Sequence, residues 1–312
     1  MVIYHYPFKE KQNIPPCVLA LGFFDGVHIA HRDLISRARD IAHERGLALG
    51  VFTFASDSMI KSRVARLYGD DDKAEIFESL GADFTVIADF GSIAGLSGEE
   101  FVKDILVHDL SALVCVAGFN FRFGRGAASG EVELRAYMAE AGGEAVICEE
   151  ITGEDHVTLS ASLIRKLITE GYIRRTNKIL GSPYYIKGRV CHGKRLGRTL
   201  GFPTVNIPIA EGRIVPRPGV YLSATVIDGK IYKAVTNIGT NPTFGKEQVK
   251  AESHILDFNG NLYDREMRIY LLDFIRDERP FESVEDLRTQ IEKDKNKVKE
   301  SEDITWQVLG LR

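Results

Sequence analysis

Cysteine is scarce in this chain, and its spacing excludes more than its number does. The four cysteines, Cys17, Cys115, Cys148 and Cys191, form no C-x-x-C pair and no closely spaced set. That excludes a disulfide framework and a cysteine-rich zinc site. Cys115 and Cys148 lie in apolar runs, "ALVCVAG" and "EAVICEE", where a thiol serves as a small buried hydrophobe. Long hydrophobic runs are missing, and no window approaches a membrane span. The N-terminal "MVIYHYPFKEKQ" meets charge at Lys9 before an apolar stretch builds up, so it does not read as a secretory signal. A large excess of either charge is absent too: 40 basic against 44 acidic residues leave a net charge of −4. That balance gives no global footprint for nucleic acid or an anionic membrane. Internal repeats and low-complexity tracts are also lacking. What is present is a soluble globular composition, 44% hydrophobic and 27% charged, with 312 residues to fill two domains. Small-molecule substrates, a reducing cytoplasm and no obligatory protein partner are the expectations.

The two halves differ in period. From residue 17 to about 151, short apolar runs ("CVLALGF", "LALGVFTF", "DFTVIADF", "ALVCVAGF", "EAVICEEI") alternate with helical patterns ("HRDLISRARDIAHERG", "KAEIFESLG", "SGEEFVKDILVHDL", "GEVELRAYMAEAGG"). Such alternation predicts a parallel sheet covered by helices, and Ser97 with Glu100 fits a capping box. "SASLIRKLITEGYIRRTNKILG" adds one or two helices. After "GSP" at 181–183 the period falls to two. Asp228-Gly229 and Asn259-Gly260 each separate strand-like runs and suit type I′ hairpin turns. A compact antiparallel β-domain, a barrel, is expected there, closed by the helix "SVEDLRTQIEKDKNKV" with Ser283 as cap and Asp286 in the box position.

The segment "LGFFDGVHIAHRDLI" (21–35) carries the chemistry of the first half. Ligands of open parallel sheets bind at the carboxyl ends of the strands. Gly22 and Gly26 permit a tight turn close to a ligand, and the helix that follows offers an N-terminus to an anion. His28 and His31 then serve as acid or as donors to a phosphate. A metal pair is the alternative, with no H-E-x-x-H and no nearby cysteine in its favour. Asp25 reads equally as a turn residue bonding backbone. "GRGAAS" (124–129) begins like a dinucleotide fingerprint but ends in Ser129 and does not follow the first strand.

In the second half, "GRVCHGKRLGRTLGFPTVNI" (188–207) nearly spells a P-loop with Gly188, Gly193 and Lys194, but Arg195 stands where Ser or Thr must meet magnesium. A phosphate-covering flap formed by the glycines, Gly197 among them, with Lys194, Arg195 and Arg198, and an ordinary glycine-rich turn both remain open. Thr204 and Asn206 share a face of an extended segment and suit a hydrated Mg²⁺ between phosphates. Glu252, in an otherwise apolar strand, is a rim residue or a general base.

"GFFDGVHIAH", "EEFVKDIL", "AGFNFRFGRG" and "LSASLIRKLI", followed by "LGFPTVN", "NIGTNPTFG", "ESHILDF" and "LLDFIRDERPF…VEDLRTQIEKD", occur in the order found in bacterial bifunctional riboflavin kinase/FAD synthetases, and the chain resembles that family over nearly its whole length. The resemblance implies an α/β nucleotidylyltransferase-type domain with a parallel Rossmann-like sheet over 1–180. A mainly antiparallel β-barrel kinase domain with a C-terminal helix follows over 181–312. It implies that His28 and His31 are catalytic and that Gly22, Phe24, Asp25, Asn120, Ser162 and Arg165 hold ATP for FMN adenylylation. In the kinase half it implies ATP contacts from Gly188, Gly193, Lys194, Gly197, Thr204 and Asn206, with Mg²⁺ held through ATP by the last two. Glu252 would be the base on riboflavin, and Arg276 would touch the flavin. Riboflavin, FMN and FAD are then substrate or product.

Three departures stand out. Ala30 replaces the usual Gly, "ASDS" (55–58) replaces a Pro-His-Pro element, and Ser160-Ala161-Ser162-Leu163 replaces Ser-Ser-Thr-Arg. They keep two other readings open: a riboflavin kinase with a degenerate or altered-specificity first half, and a flavin-sensing module without turnover.

Overall fold

The computed structural model describes residues 1–57, 64–153, 157–193, 201–240, 249–302 and 304–305. The chain divides into two compact units, Met1–Ala161 and Ser162–Arg312.

The first unit is built on six parallel strands: β1 (Val2–Tyr6), β2 (Cys17–Leu21), β3 (Ala48–Phe54), β4 (Phe84–Ala88), β5 (Ala112–Gly118) and β6 (Glu144–Cys148), in the spatial order β1-β4-β3-β2-β5-β6. Strand β2 is buried at all of its residues, as its unbroken apolar sequence requires when both faces are covered. Cys17, Leu19 and Leu21 point into one core with Ile105, Leu106, Leu134 and Met138. Val18 and Ala20 point into the other, against Leu34, Ile35, Ala38 and Ala42 of α1 (Ile29–Arg45). Helix α2 (Asp70–Ser79) precedes β4, and a single turn α3 (Phe90–Ile93) follows it. The Ser97–Glu100 capping box is present and opens α4 (Gly98–Glu100), which runs into a π-helix, Phe101–Asp109. Helix α5 (Glu131–Glu140) leads into β6. Along the chain the strands proceed outward from β2 through β3 to β4, then return to the other side of β2 with β5. The point where the strand order reverses therefore lies between the carboxyl ends of β2 and β5, where such sheets bind ligands.

In the second unit, α6 (Ala161–Glu170) and α7 (Ile173–Leu180) precede the barrel strands. Asn177 joins α7 to the sheet: its amide donates to Leu271 O at 2.8 Å and its carbonyl accepts from Tyr184 N at 2.9 Å. The strands β7 (Tyr185–Arg189), β8 (Val205–Pro208), β9 (Gly219–Ile227), β10 (Lys230–Thr240), β11 (Val249–Ile255) and β12 (Glu266–Arg276) form an antiparallel sheet in the order β7-β12-β9-β10-β11-β8. Beyond β7, Cys191 N donates to Asn206 O at 2.9 Å, which brings the two edges together into a nearly closed barrel. Its interior contains a line of fully buried hydroxyls: Ser223 and Thr236 at 2.6 Å, Thr236 and Ser253 at 2.8 Å. Helix α8 (Val284–Lys299) follows, capped by Ser283, whose hydroxyl accepts from Asp286 N at 3.1 Å.

The Asp228-Gly229 turn is as expected, with φ of 48° and 75° between paired Ile227 and Lys230. The Asn259-Gly260 expectation is not met. Neither residue has positive φ, β11 and β12 are not neighbours, and the left-handed residues of that connection are Asp257 and Asp264. β11 is already paired on both edges, by β10 and β8, so the chain crosses to a strand elsewhere in the barrel and needs more than a two-residue turn.

Candidate functional site

The first unit holds a cavity of about 660 Å³ at the switch point, bordered by Leu21 and Gly22 at the end of β2 and by Gly118, Phe119 and Asn120 at the end of β5. Between β2 and α1 the chain turns through left-handed conformations at Phe24 (φ 50°), Gly26 (φ 87°) and Val27 (φ 39°). For a β-branched residue that backbone is strained, and surrounding structure must enforce it. Three bonds do so: Thr53 Oγ1 donates to Phe23 O at 2.9 Å, Leu67 N donates to Asp25 Oδ1 at 3.3 Å, and Arg32 Nε donates to Val27 O at 3.1 Å. Asp25, 7% exposed, thus ties the turn to a segment far along the chain and also borders the cavity. At Gly22 a Cβ would stand 2.8 Å from the Phe24 ring, so only glycine allows that ring to fold back under the turn.

The turn ends at His28, the N-cap of α1, with 5% exposure. One helical turn later His31 stacks on it, centroids 3.7 Å apart and planes at 19°, with the Phe24 ring edge-on to His31 at 5.2 Å. Both Nδ1 atoms are buried and have no hydrogen-bond partner. Burial lowers the His28 pKa to about 4. His31 is pushed well below the ordinary imidazole range, first by burial and then by His28. Both rings are therefore neutral near pH 7, and both border the cavity. Gly22, Phe24, Asp25, Asn120 and Ala30 border it too, as do Ser160 and Ala161. Ser162 and Arg165 lie in the first turns of α6, with the second unit. The cavity is also bordered by aromatic side chains, Phe54, Phe90, Phe101, Phe121 and Phe123.

After β3, at the position of the absent Pro-His-Pro, Ser56 N donates to the Asp70 carboxylate at 3.0 and 3.1 Å; Ser58 lies outside the described residues. Beneath it is a residue the sequence did not single out. Lys73 is 2% exposed, donates to Phe54 O at 3.1 Å, stands 3.1 Å from Asp70 Oδ1, and lies 5.5 Å from the Phe23 ring centroid. Burial lowers its pKa, opposed by Asp70 and Asp25. Its position in "DDDKAE" resembles any exposed first-turn lysine, and only the tertiary structure makes it the floor beneath two cavity-bordering phenylalanines.

The second unit holds a cavity of about 430 Å³, bordered by Gly193, Thr204, Val205, Asn206, Ser253 and the 258–263 connection. A Cβ on Gly193 would meet the Asn206 side chain at 2.6 Å, and one on Gly188 would meet Ile207 Cγ2 at 2.8 Å. Both glycines thus allow β7 and its continuation to approach β8. Lys194 and Gly197 lie outside the described residues, as do residues 241–245 of "NIGTNPTFG". Glu252 is half-buried and is not among the residues bordering this cavity. Register connects it instead: Arg276, Val220, Asn237, Glu252 and Asn206 lie opposite one another in succession across five strands. Directly opposed residues share a sheet face, so one face carries Glu252, Asn206 and Arg276 in a single row. Asn237 Nδ2 donates to Glu278 Oε1 at 2.8 Å. Arg276 grips α8: Nη2 donates to Asp294 Oδ2 at 2.7 Å, Nε contacts both Asp294 oxygens at 3.1 and 3.2 Å, and Nη1 donates to Asp277 O at 3.0 Å.

Two family models match the chain, FAD synthetase over residues 10–162 and riboflavin kinase over 180–302. It is 36% identical over 305 residues to the bifunctional riboflavin kinase/FMN adenylyltransferase of Bacillus subtilis, covering 93% of each chain. It is 38% identical over 284 residues to the protein of that name from Listeria monocytogenes, covering 89% of this chain and 90% of the relative. A crystal structure from Streptococcus pneumoniae described as a macrolide-efflux protein superposes with a TM-score of 0.87 at 28% identity, covering 97% of this chain and all of that one. Among the described residues, no helix is long and apolar enough to cross a membrane.

Proposed function

The chain belongs to the bifunctional riboflavin kinase/FMN adenylyltransferase family, and on that premise we propose that its two units perform consecutive steps of flavin coenzyme synthesis. In the second unit, ATP gives its γ-phosphoryl group to the terminal ribityl hydroxyl of riboflavin, yielding FMN and ADP. Glu252 accepts the hydroxyl proton as the oxygen attacks phosphorus. Thr204 and Asn206 offer a hydroxyl and an amide oxygen, hard donors suited to Mg²⁺. When bound, Mg²⁺ neutralises charge on the phosphates.

In the first unit, the FMN phosphate attacks the α-phosphorus of a second ATP. The new P–O bond joins the two nucleotides, the α–β bridge breaks, and pyrophosphate leaves. The neutral imidazoles of His28 and His31 present N–H groups to phosphoryl oxygens. As negative charge gathers beside them their proton affinity rises, so their stabilisation grows toward the transition state. Asn120 supports the nucleotide from the end of β5. The aromatic lining suits a flat isoalloxazine, because ring faces pack by area and offset stacking. A cavity of this size is typical of cofactor sites.

The observation that carries the adenylylation step is the stacked, buried histidine pair with unpartnered Nδ1 atoms at the switch point. A second reading, weakened adenylylation, rests only on the sequence departures at Ala30 and Ser56. Incubating the full chain with riboflavin, ATP and Mg²⁺ and separating the products decides between them. FMN, FAD, ADP and pyrophosphate are expected; FMN and ADP alone would support the kinase-only reading. Flavin bound with no ATP consumed would refute both.

A further inference from the structure

The strand ladder that positions Asn206 stops just short of Thr204. Pairing of β11 with β8 runs from Lys250↔Pro208 to Ser253↔Val205. The residue before Thr204 is Pro203, which has no N–H to extend a ladder. His254 supplies the next connection. It follows Glu252 by two residues on β11 and so projects from the same sheet face. Its Nδ1 stands 2.9 Å from Pro203 O. A carbonyl only accepts, so this nitrogen carries the proton. The ring also stands edge-on to Phe202, centroids 5.6 Å apart with planes at 89°. Lys295 of α8 places its ammonium 5.7 Å from the centroid of that same phenylalanine. Two side chains thus hold the Phe202-Pro203 entry, but only His254 bonds its backbone next to Thr204.

We propose that His254 is a positioning residue for the kinase reaction. By donating to the Pro203 carbonyl it sets the direction of the Thr204 hydroxyl relative to Asn206 and Glu252, and hence the fit of the site to metal-bound ATP. The inference rests on reading the barrel as the riboflavin kinase. His254 touches no substrate in this role.

Two full-length variants separate the hydrogen bond from the packing. His254→Phe keeps a ring against Phe202 and removes the donor. His254→Asn keeps an N–H near the place of Nδ1 and removes the ring. Riboflavin phosphorylation is measured against ATP and against Mg²⁺, and FMN adenylylation by the same preparations serves as an internal control. His254→Phe is expected to raise the KM for ATP and the half-saturating Mg²⁺ by about tenfold, the loss of one well-placed hydrogen bond. His254→Asn should stay within about threefold of wild type on the same grounds, and adenylylation should be unchanged in both. The inference is overturned if both variants match wild type, if the loss follows the ring rather than the donor, or if only kcat falls. Absence of riboflavin phosphorylation in the wild-type chain would instead refute the reading of the barrel.

Discussion

Lowering the pH should weaken the first unit well before its carboxylates are protonated, because the histidine pair is held neutral by burial. In the unfolded chain His28 takes a proton near the ordinary imidazole value of about 6.5, and in the folded unit burial holds it down to about 4. Above pH 6.5 both states hold a neutral ring and the group has no pH effect. Between those values the unfolded state binds the proton and the folded state does not, so stability falls as pH falls. Integrating the two titrations makes the unit about 2 kcal/mol less stable at pH 5 than at pH 7.5, approaching about 3 kcal/mol at full protonation, from His28 alone. His31 acts in the same direction, since burial and His28 both depress it. Hydrogen exchange of peptides from β2 and α1 reads this unit separately from the barrel. The comparison is between wild type and His28→Asn at the two pH values. Wild type should lose at least about 2 kcal/mol more protection than the variant. Equal losses would refute the claim that the pair is buried neutral, as would an imidazole titration midpoint near 6.5 by NMR in the ligand-free chain.

Three further outcomes follow from the geometry. Gly22→Val should displace the Phe24 ring, which lies 2.8 Å from the new Cβ, and lower FAD formation by more than about tenfold while riboflavin phosphorylation continues; a product ratio equal to wild type would contradict this. Asp294→Ala leaves the Arg276 guanidinium without its carboxylate and should cost the barrel about 3 kcal/mol, read by urea denaturation of the full chain, with Arg276→Met/Asp294→Leu recovering much of it. Glu252→Gln should reduce riboflavin phosphorylation by about 10²–10⁴-fold with riboflavin affinity, measured by flavin fluorescence, nearly unchanged.

The sequence was most legible where packing and local pattern agree. "CVLAL" can only be a strand buried on both faces, and it is. "DG" at 228–229 lies between runs that pair directly, so local turn chemistry decided the structure. "NG" at 259–260 has the same local chemistry, but the partners of β12 are β7 and β9, and pairing across the barrel overrode the dipeptide. β1 escaped notice because an edge strand of five residues, with Val2 and Ile3 exposed, lacks the apolar run that marks its neighbours. The π-helix at Phe101–Asp109 has the composition of an ordinary helix, and its widened turn is a tertiary property. In the sites, the histidines, Thr204 and Asn206 were visible as chemical types in suggestive places, whereas Asn120 came only from the family resemblance. Lys73 and His254 were not, because burial and a single carbonyl partner leave no mark on composition or spacing.

The line of hydroxyls inside the barrel has a fixed polarity. Ser223 Oγ donates to Ala234 O at 2.8 Å, and a hydroxyl has one proton to give. Thr236 must therefore direct its proton to Ser223, and Ser253 must direct its own to Thr236. All three protons run the same way, from the β11 wall toward β9 and onto a main-chain oxygen of β10, and none remains to be offered outward. Ser253, beside the second cavity, can only receive. A single Thr236→Val change would interrupt the sequence at its middle and leave Ser253 facing a methyl group with its proton unassigned, so the polarity of this buried line depends on one threonine.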